Sequence, residues 1–289
     1  MKSVLKGILS LITVGCILAI LGAGALIGSY WISYHEGDQV YREIEDLALG
    51  TVPDGTENDR TGSDPVVDFN ALSKANPDLV GWIYIPDTRI NYPIVKRQND
   101  NEYYLNHLFD GTPNKAGCIF LDTRCNLGDS HCLIHGHNMG NGTMFRDLTL
   151  FKNKQFLQEH PYALVLTPDQ NYVIEFFAGS VVRIDSPVWQ LQFSGSSDRQ
   201  QWLSDCWNAA SVSRPITLNP EDKIITLSTC TYEYNQARWI LQSRILSVDE
   251  VYPDIYNDLV EEIRNLDSEV KSKLILVHLR HTLYNLTAF

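Results

Sequence analysis

Residues 223–246 read KIITLSTCTYEYNQARWILQSRIL, and this stretch decides the fold class. Two apolar, β-branched runs at 223–229 and 238–246 flank a polar segment, which is typical of two strands joined by a turn. Cys230 directly follows the first run, and Arg238 begins the second. A nucleophile at the end of a strand is fixed by the sheet and open to a groove, so Cys230 is a candidate for chemistry.

Similar short runs precede this pair from about residue 66 onward. Pro93 lies in one of them and predicts a sheet edge or a strand end, because proline cannot donate to a ladder. Many short strands in succession predict a β-barrel or a sandwich. Short helices fit between them at 101–109 and 144–150, and a longer helix fits at 197–211. The strand-like runs are 80–85, 91–95, 118–122, 132–135, 162–167 and 172–177.

The N-terminal segment has the length and composition of a membrane span. Residues 7–32 carry no charge, and about 20 apolar residues cross a bilayer as a helix. Lys2 and Lys6 precede the run and acidic residues follow it, so the rest of the chain is expected outside the cytoplasm. A cleaved signal peptide is the alternative, since AGA at 23–25 resembles a cleavage site. Both interpretations place the soluble part outside.

Two further segments flank the predicted barrel. Residues 34–49 are expected to form a juxtamembrane helix, and 50–65 a polar linker. After Ser247, apolar residues recur every three or four positions, which predicts an amphipathic helix of about 25 residues. The expected division is a cytoplasmic N-terminus (1–6), a span (7–32), a juxtamembrane helix and linker (33–65), a central domain (66–249) and a helical extension (250–289).

Charge and cysteine content exclude several classes of protein. The net charge of −12 argues against a nucleic-acid partner, because phosphate contacts need clustered Lys and Arg. None of the six cysteines forms a CxxC pair, so a zinc ribbon or a thioredoxin-type site is not expected. Cys118, Cys132 and Cys206 lie in apolar surroundings and are expected in the core, and a disulfide between two of the cysteines is left open.

Cys230 would need partners to react. Only the thiolate attacks well, histidine exchanges protons near neutral pH, and arginine can donate two hydrogen bonds to an oxyanion or a carbonyl. His137, within IHGHNM at 134–139, and Arg238 could supply these groups. On spacing alone a structural cysteine is the more common explanation, so the residue types leave both roles open.

Longer sequence motifs favour a catalytic role for Cys230 over a structural one. TLSTC at 226–230, with Arg238 beyond it, resembles the TLxTC signature of sortases. GHNM at 136–139, followed by GTMF at 142–145, resembles the histidine motif of class B sortases. A helical segment ahead of the barrel and a helix-bearing insertion at about 184–215 also favour class B. Four more strings follow the order of the family's barrel: VGWIYIP (80–86), INYPIV (90–95), NEYYL (101–105) and GCIFLD (117–122).

The resemblance covers about residues 66–248 and implies a mainly β fold with helices, built on an eight-stranded barrel. It implies a cysteine transpeptidase with Cys230 as nucleophile, His137 as acid and base, and Arg238 as the positive group at the reacting carbonyl. No cofactor is implied. Three further residues fall where class B enzymes line the groove for the sorting peptide: Asn101, Leu105 and Ser228.

The implied activity is that of a membrane-anchored enzyme of a Gram-positive bacterium. It would cleave a C-terminal sorting motif of secreted proteins through a thioester and transfer them to an amine of a cell-wall peptidoglycan precursor. Three alternatives stay open at this point: a sortase that polymerises pilins, a secreted thiol protease (a hydrolase) acting through the same thioester, and a catalytically silent surface scaffold.

Two other groups of residues lie near this site in the sequence. His131 and His135 would share one face of a continuous strand with His137 and could ligate a metal. Gly136 is expected to break that strand, so no metal is expected. Arg244 would share a face with Arg238, but a salt bridge is the more common role for such a residue.

Overall fold

The protein, as a computed structural model, is described at residues 2–49, 66–246 and 254–266. Within these ranges, nine strands form one sheet: β1 (Leu79–Tyr84), β2 (Asn91–Val95), β3 (Ile119–Leu121), β4 (His131–His135), β5 (Tyr162–Leu166), β6 (Asn171–Val182), β7 (Val212–Ser213), β8 (Ile224–Cys230) and β9 (Arg238–Leu246). The helices there are α1 (Lys2–Leu49), α2 (Phe69–Ala75), α3 (Lys154–Glu159), α4 (Ser196–Asn208) and α5 (254–266), with 3-10 turns at Tyr103–Leu105, Phe145–Lys152 and Pro187–Trp189.

The sheet closes into the expected barrel of eight strands. The strand order is β5-β1-β2-β3-β4-β8-β9-β6, and pairing of β5 with β6 completes the circle. The two-residue β7 pairs with β6 outside the circle. β2 runs parallel to β3 and β4 parallel to β8, whereas the other pairs are antiparallel. Closure leaves the eight strands without an open edge, and large apolar side chains such as Trp82, Phe176 and Trp239 are buried in the core.

The strand predictions were largely confirmed, but of the two positions expected for Pro93, the sheet edge was wrong. β2 has neighbours on both sides, so Pro93 does not lie on an edge strand. Its partner across β1 is Trp82, while the ladder to β3 begins only at Ile94. Pro93 therefore precedes the β2–β3 ladder, so its missing N–H costs no hydrogen bond between these strands. The sequence did not predict the short strand β7.

Two predicted helices are only 3-10 turns. In the segment 101–109, the carbonyl of Tyr104 accepts from the N–H of Cys118 at 2.9 Å, and the N–H of Leu108 donates to Thr112 at 2.9 Å. The following loop takes these backbone groups, so they are not available for i to i−4 bonds. The segment 144–150 is likewise the 3-10 turn Phe145–Lys152. The long helix predicted at 197–211 is α4.

α1 is unbroken from Lys2 to Leu49, so the expected span and juxtamembrane helix form one element. Of the helices in the described ranges, α1 alone is long and apolar enough to cross a membrane. Its C-terminal part packs on the barrel, where Tyr41, Ile44 and Ala48 are buried. The expected linker at 50–65 lies outside the described residues.

α5 packs on the outside of the barrel and forms part of the predicted amphipathic helix. Leu259, Val260 and Ile263 are buried in the main core cluster. The hydroxyl of Tyr84 in β1 donates to Glu262 at 2.7 Å, which ties α5 to the barrel wall. Residues 250–253 and 267–289 of the expected extension lie outside the described ranges.

Candidate active site

The register of the β8–β9 hairpin sets Cys230 directly opposite Arg238. Side chains of directly opposed residues have Cβ atoms about 5 Å apart, so the thiol and the guanidinium share one end of the hairpin. Cys230 is a free thiol and only partly buried, unlike the four cysteines of the barrel core and α4. Arg238 donates to the Ala237 carbonyl at 3.1 Å through one Nη, which leaves further N–H groups for a ligand.

Parallel pairing of β4 with β8 brings the histidine to the same edge. The ladder runs to His135, which pairs with Ser228. His137 and Cys230 each lie two residues beyond that pair, and the carboxyl ends of parallel strands meet at one edge of a sheet. The topology therefore brings together two residues that lie far apart in the sequence.

Three hydrogen bonds fasten the histidine loop to the end of β8. The Gly136 N–H donates to the Ser228 carbonyl at 3.1 Å, and the Thr229 hydroxyl donates to the Gly136 carbonyl at 2.8 Å. The side-chain amide of Asn138 donates to the Cys230 carbonyl at 2.8 Å. A Cβ at position 136 would come within 2.8 Å of the Phe145 ring and 2.4 Å of the Ile119 side chain, so glycine lets the loop pack closely against these two residues.

A backbone carbonyl fixes the tautomer of His137. Its Nε2 lies 2.8 Å from the Leu105 carbonyl oxygen, which can only accept, so Nε2 carries the hydrogen. In the neutral ring the other nitrogen, Nδ1, is then unprotonated and can take a proton. Leu105 thus contributes to the site through its backbone, at the end of the 3-10 turn Tyr103–Leu105.

The other two predicted groove residues lie on β8 and on the loop before the 3-10 turn. Ser228 is buried in β8 between His135 and Ile240, two residues before Cys230. Asn101 lies on the loop before the 3-10 turn, and its side-chain oxygen accepts from the Thr123 N–H at 2.8 Å. Its contact is therefore with the loop after β3, next to Asp122.

Asp122 connects this loop to the end of β4. Its carboxylate receives two hydrogen bonds from the guanidinium of Arg124 and one from its backbone N–H, and it contacts His135 Nε2 at 3.4 Å. Burial alone would raise the pKa of Asp122, but the bonds from Arg124 and His135 outweigh burial and hold it well below its usual value. A charged carboxylate therefore lies behind His135, two residues before His137.

His131 is a core residue, as its hydrogen bonds show. Nδ1 contacts the Gln190 carbonyl at 2.7 Å and Nε2 contacts the Thr226 hydroxyl at 2.9 Å. Burial lowers the pKa of His131 to about 4, so the ring is neutral near pH 7. Across the described ranges, no three His, Cys, Asp or Glu side chains cluster as metal ligands would.

Arg244 and Glu233 both have structural partners. Arg244 forms a salt bridge with Glu175 at 2.6 Å, and it pairs with Ile224 at the opposite end of β8 from Cys230. Glu233, in the β8–β9 turn, contacts Lys152 at 2.5 Å. That hydrogen bond from Lys152 lowers the pKa of Glu233 to about 2.

Asn138 and Lys152 are two site residues that the sequence reasoning did not single out. Asn138 lies in the GHNM string, so a signal was available for it. Lys152 reaches the turn after Cys230 from 81 residues away and carries no local signal.

Comparison with known proteins identifies the family of the chain. The Sortase domain family model matches residues 83–245. Sortase B of Listeria monocytogenes is 35% identical over 180 residues, which are 61% of this chain and 73% of that protein. The X-ray structure of Clostridium perfringens sortase B has a TM-score of 0.59 at 30% identity, covering 62% of this chain and all of that one. A Staphylococcus aureus sortase B–substrate complex shares the fold, with a TM-score of 0.66 over 75% of this chain and 99% of that one at 24% identity. The chain therefore belongs to the sortase family of cysteine transpeptidases, and its relatives place it in class B.

Proposed function

We propose that this protein is a membrane-anchored transpeptidase that cleaves a C-terminal sorting motif of secreted proteins and joins them to an amine of a peptidoglycan precursor. The observation that carries the proposal is the meeting of three groups at one barrel edge. Cys230 faces Arg238 across the hairpin, and His137 is fixed beside them by the Leu105 carbonyl.

In the first half-reaction, the thiol of Cys230 loses its proton to Nδ1 of His137. The sulfur attacks the peptide carbonyl carbon, and the negative charge that develops on the oxygen is stabilised by the guanidinium of Arg238. Collapse of this intermediate breaks the C–N bond. The imidazolium of His137 gives its proton to the leaving amine, and the acyl group remains on sulfur as a thioester.

In the second half-reaction, an amine attacks the thioester carbon. His137, now neutral, takes a proton from the attacking nitrogen, and Arg238 again stabilises the oxyanion. The C–S bond breaks and the thiolate regains its proton from His137. The electrons and protons balance without an external oxidant or cofactor.

The relatives support a peptide substrate, since one sortase B has been solved as a substrate complex. Asn101, Leu105 and Ser228 are proposed to line the peptide groove, because they lie on the elements that border the catalytic edge. Membrane anchoring rests on α1, and an extracytoplasmic barrel rests on the lysines before its apolar run.

The test uses the full chain in detergent, a panel of quenched peptides with candidate sorting motifs, and several primary amines as acceptors. Product masses are the measurement. Cys230→Ala is expected to abolish both cleavage and transfer, while Cys16→Ala, which removes an exposed thiol in α1, leaves both unchanged. Arg238→Lys keeps the charge but loses the paired donors, so transfer should fall about 100-fold.

Three results would contradict the proposal in different ways. Normal turnover by Cys230→Ala would refute the nucleophile. Hydrolysis without transfer for every acceptor would indicate a thiol protease. A folded protein whose Cys230 reacts with no thiol-directed probe would indicate a silent scaffold.

A further inference from the structure

One face of α1 contacts the barrel at every third or fourth residue over its last five turns. The Asn114 side chain donates to the Ser33 carbonyl at 2.8 Å, and the Tyr41 hydroxyl donates to the Gly117 carbonyl at 2.5 Å. Because the helix is continuous, these contacts fix the barrel rigidly to the apolar segment before it. The contact positions on α1 are Tyr30, Ser33, Gly37, Asp38, Tyr41, Ile44, Glu45 and Ala48.

The lowest of these contacts lies within the apolar run itself. The Lys115 ammonium is 4.1 Å from the centre of the Tyr30 ring, two residues before the run ends at Ile32. An α-helix rises 1.5 Å per residue, so 26 apolar residues extend about 39 Å and exceed a hydrocarbon core of about 30 Å. Tyr30 therefore falls at the headgroup level, and the barrel begins there without a spacer.

The same contacts set the height of the catalytic loop. The Asn141 side chain donates to Asp38 at 3.2 Å, and Asn141 lies four residues after His137. Asp38 is six residues beyond the end of the apolar run, which is about 9 Å along the helix axis. The histidine loop is thus within about two helical turns of the bilayer boundary.

We propose that α1 is a rigid helix that holds one face of the barrel, the seating face, against the phospholipid headgroup layer. This seating face lies within residues 112–117 and 140–143, where Thr112, Pro113, Lys115 and Gly140 are exposed, with Lys115 beside the lipid phosphates. The inference rests on the proposed membrane location and adds to it a fixed height for the active site.

The composition of the seating face suits a lipid surface. Lys115 is exposed, and its ammonium can contact a phosphate while it remains against the Tyr30 ring. Tyr30 and Trp31 are 47% and 66% exposed, and these aromatic side chains favour the membrane–water interface. Glu36 and Asp38 lie at a similar level, so zwitterionic headgroups suit this face better than a densely anionic surface.

A substrate anchored by its own membrane segment would meet this site at a defined height. The site would then act at a high local concentration of membrane-held peptides, and less effectively if it were raised above them. A soluble peptide would not experience the difference. Comparing the two substrates therefore tests the height of the barrel independently of the chemistry of Cys230.

The first experiment measures the contact directly and needs no activity. The full chain is placed in phosphatidylcholine vesicles with p-benzoylphenylalanine in place of Lys115, and with the same probe at exposed Lys223 as a control. Lys223 precedes β8, at the far end from Cys230. Irradiation is expected to give a lipid adduct, detected by mass, at position 115 and not at 223. Absence of the adduct at 115, or equal yields at both positions, overturns the proposal.

The second experiment raises the barrel. Seven polar helix-forming residues inserted between Ile32 and Ser33 add about 10 Å and nearly two whole turns, so the helix face is preserved. The control carries the same insertion within 50–65, after α1. Turnover of a membrane-held sorting peptide should fall at least about tenfold for the first variant only, with soluble-peptide turnover unchanged. Unchanged turnover of the membrane-held peptide, or an equal loss of turnover on both substrates, would refute the proposal that α1 fixes the height of the barrel. If the unmodified protein turns over neither peptide, the proposed function fails, and the photo-adduct still decides the seating.

Discussion

Asn138 holds the histidine loop against the strand of Cys230, the proposed nucleophile, and its removal should uncouple the two. Its side-chain amide donates to the Cys230 carbonyl at 2.8 Å, while its side-chain oxygen accepts from Arg146 at 2.9 Å. Of the three bonds that join the loop to β8, it is the one made to Cys230 itself. Asn138→Ala is expected to reduce the rate of transfer and leave the barrel folded.

The size of the effect follows from the bond that is lost. A typical hydrogen bond contributes about 1 kcal/mol to stability, and the Gly136 and Thr229 bonds still hold the loop. Unfolding in urea should therefore show a loss of about 1 kcal/mol. A displacement of about 1 Å between reacting groups can lower the rate about 100-fold, so kcat/KM should fall between about 10-fold and 100-fold.

Two matched variants separate the two contacts of Asn138. Asn138→Asp keeps an acceptor for Arg146 but cannot donate to the Cys230 carbonyl, so it should lose as much kcat/KM as Asn138→Ala. Arg146→Ala removes only the other contact and should stay within about twofold of the unmodified protein. The measurement is transfer of a sorting peptide to an amine at several pH values. Wild-type kcat/KM in Asn138→Asp would refute the reasoning.

Two further outcomes can be checked by urea unfolding. The pKa of His131 is about 4 in the folded protein and about 6.5 when unfolded, so the unfolded chain binds more protons between these values. Stability should therefore fall by about 3 kcal/mol as the pH drops from about 6.5 to 4. His131→Gln should flatten this pH dependence. An unaltered dependence of stability on pH in the variant would contradict the prediction. Ile263 of α5 is fully buried, so Ile263→Ala should destabilise the protein by about 2–4 kcal/mol, while the exposed control Glu261→Ala changes stability by less than about 0.5 kcal/mol. Equal effects of the two would mean that α5 does not pack on the barrel in solution.

Local patterns were sufficient for the strands whose side chains meet a continuous core. β2 and β9 have the bounds predicted for them, since apolar runs flanked by polar turns specify short buried strands. The segment 101–109 has buried apolar residues at helical spacing, yet its backbone is bonded to 112–118. Local propensity cannot anticipate that competition, because the competing partners belong to a loop placed by tertiary packing.

Local sequence patterns likewise predicted only part of the candidate site. Cys230, His137 and Arg238 could be named from strings of residues, whereas spacing alone left a structural cysteine as the more common explanation. The contacts that orient them depend on the closed barrel: the Leu105 carbonyl on His137 spans 32 residues and the Asn138 bond to Cys230 spans 92. Such pairs follow from topology and not from the sequence pattern.

The parallel pairing of β4 with β8 has a consequence for how the enzyme becomes active. The bond from Thr229 to Gly136 joins residues 93 positions apart, and contacts of such long separation form slowly because the intervening chain must first be ordered. Cys230 and His137 therefore meet only when the barrel closes. In an unfolded chain Cys230 would lack His137 and Arg238 as neighbours, and the proposed activity would arise in the same step as the native fold.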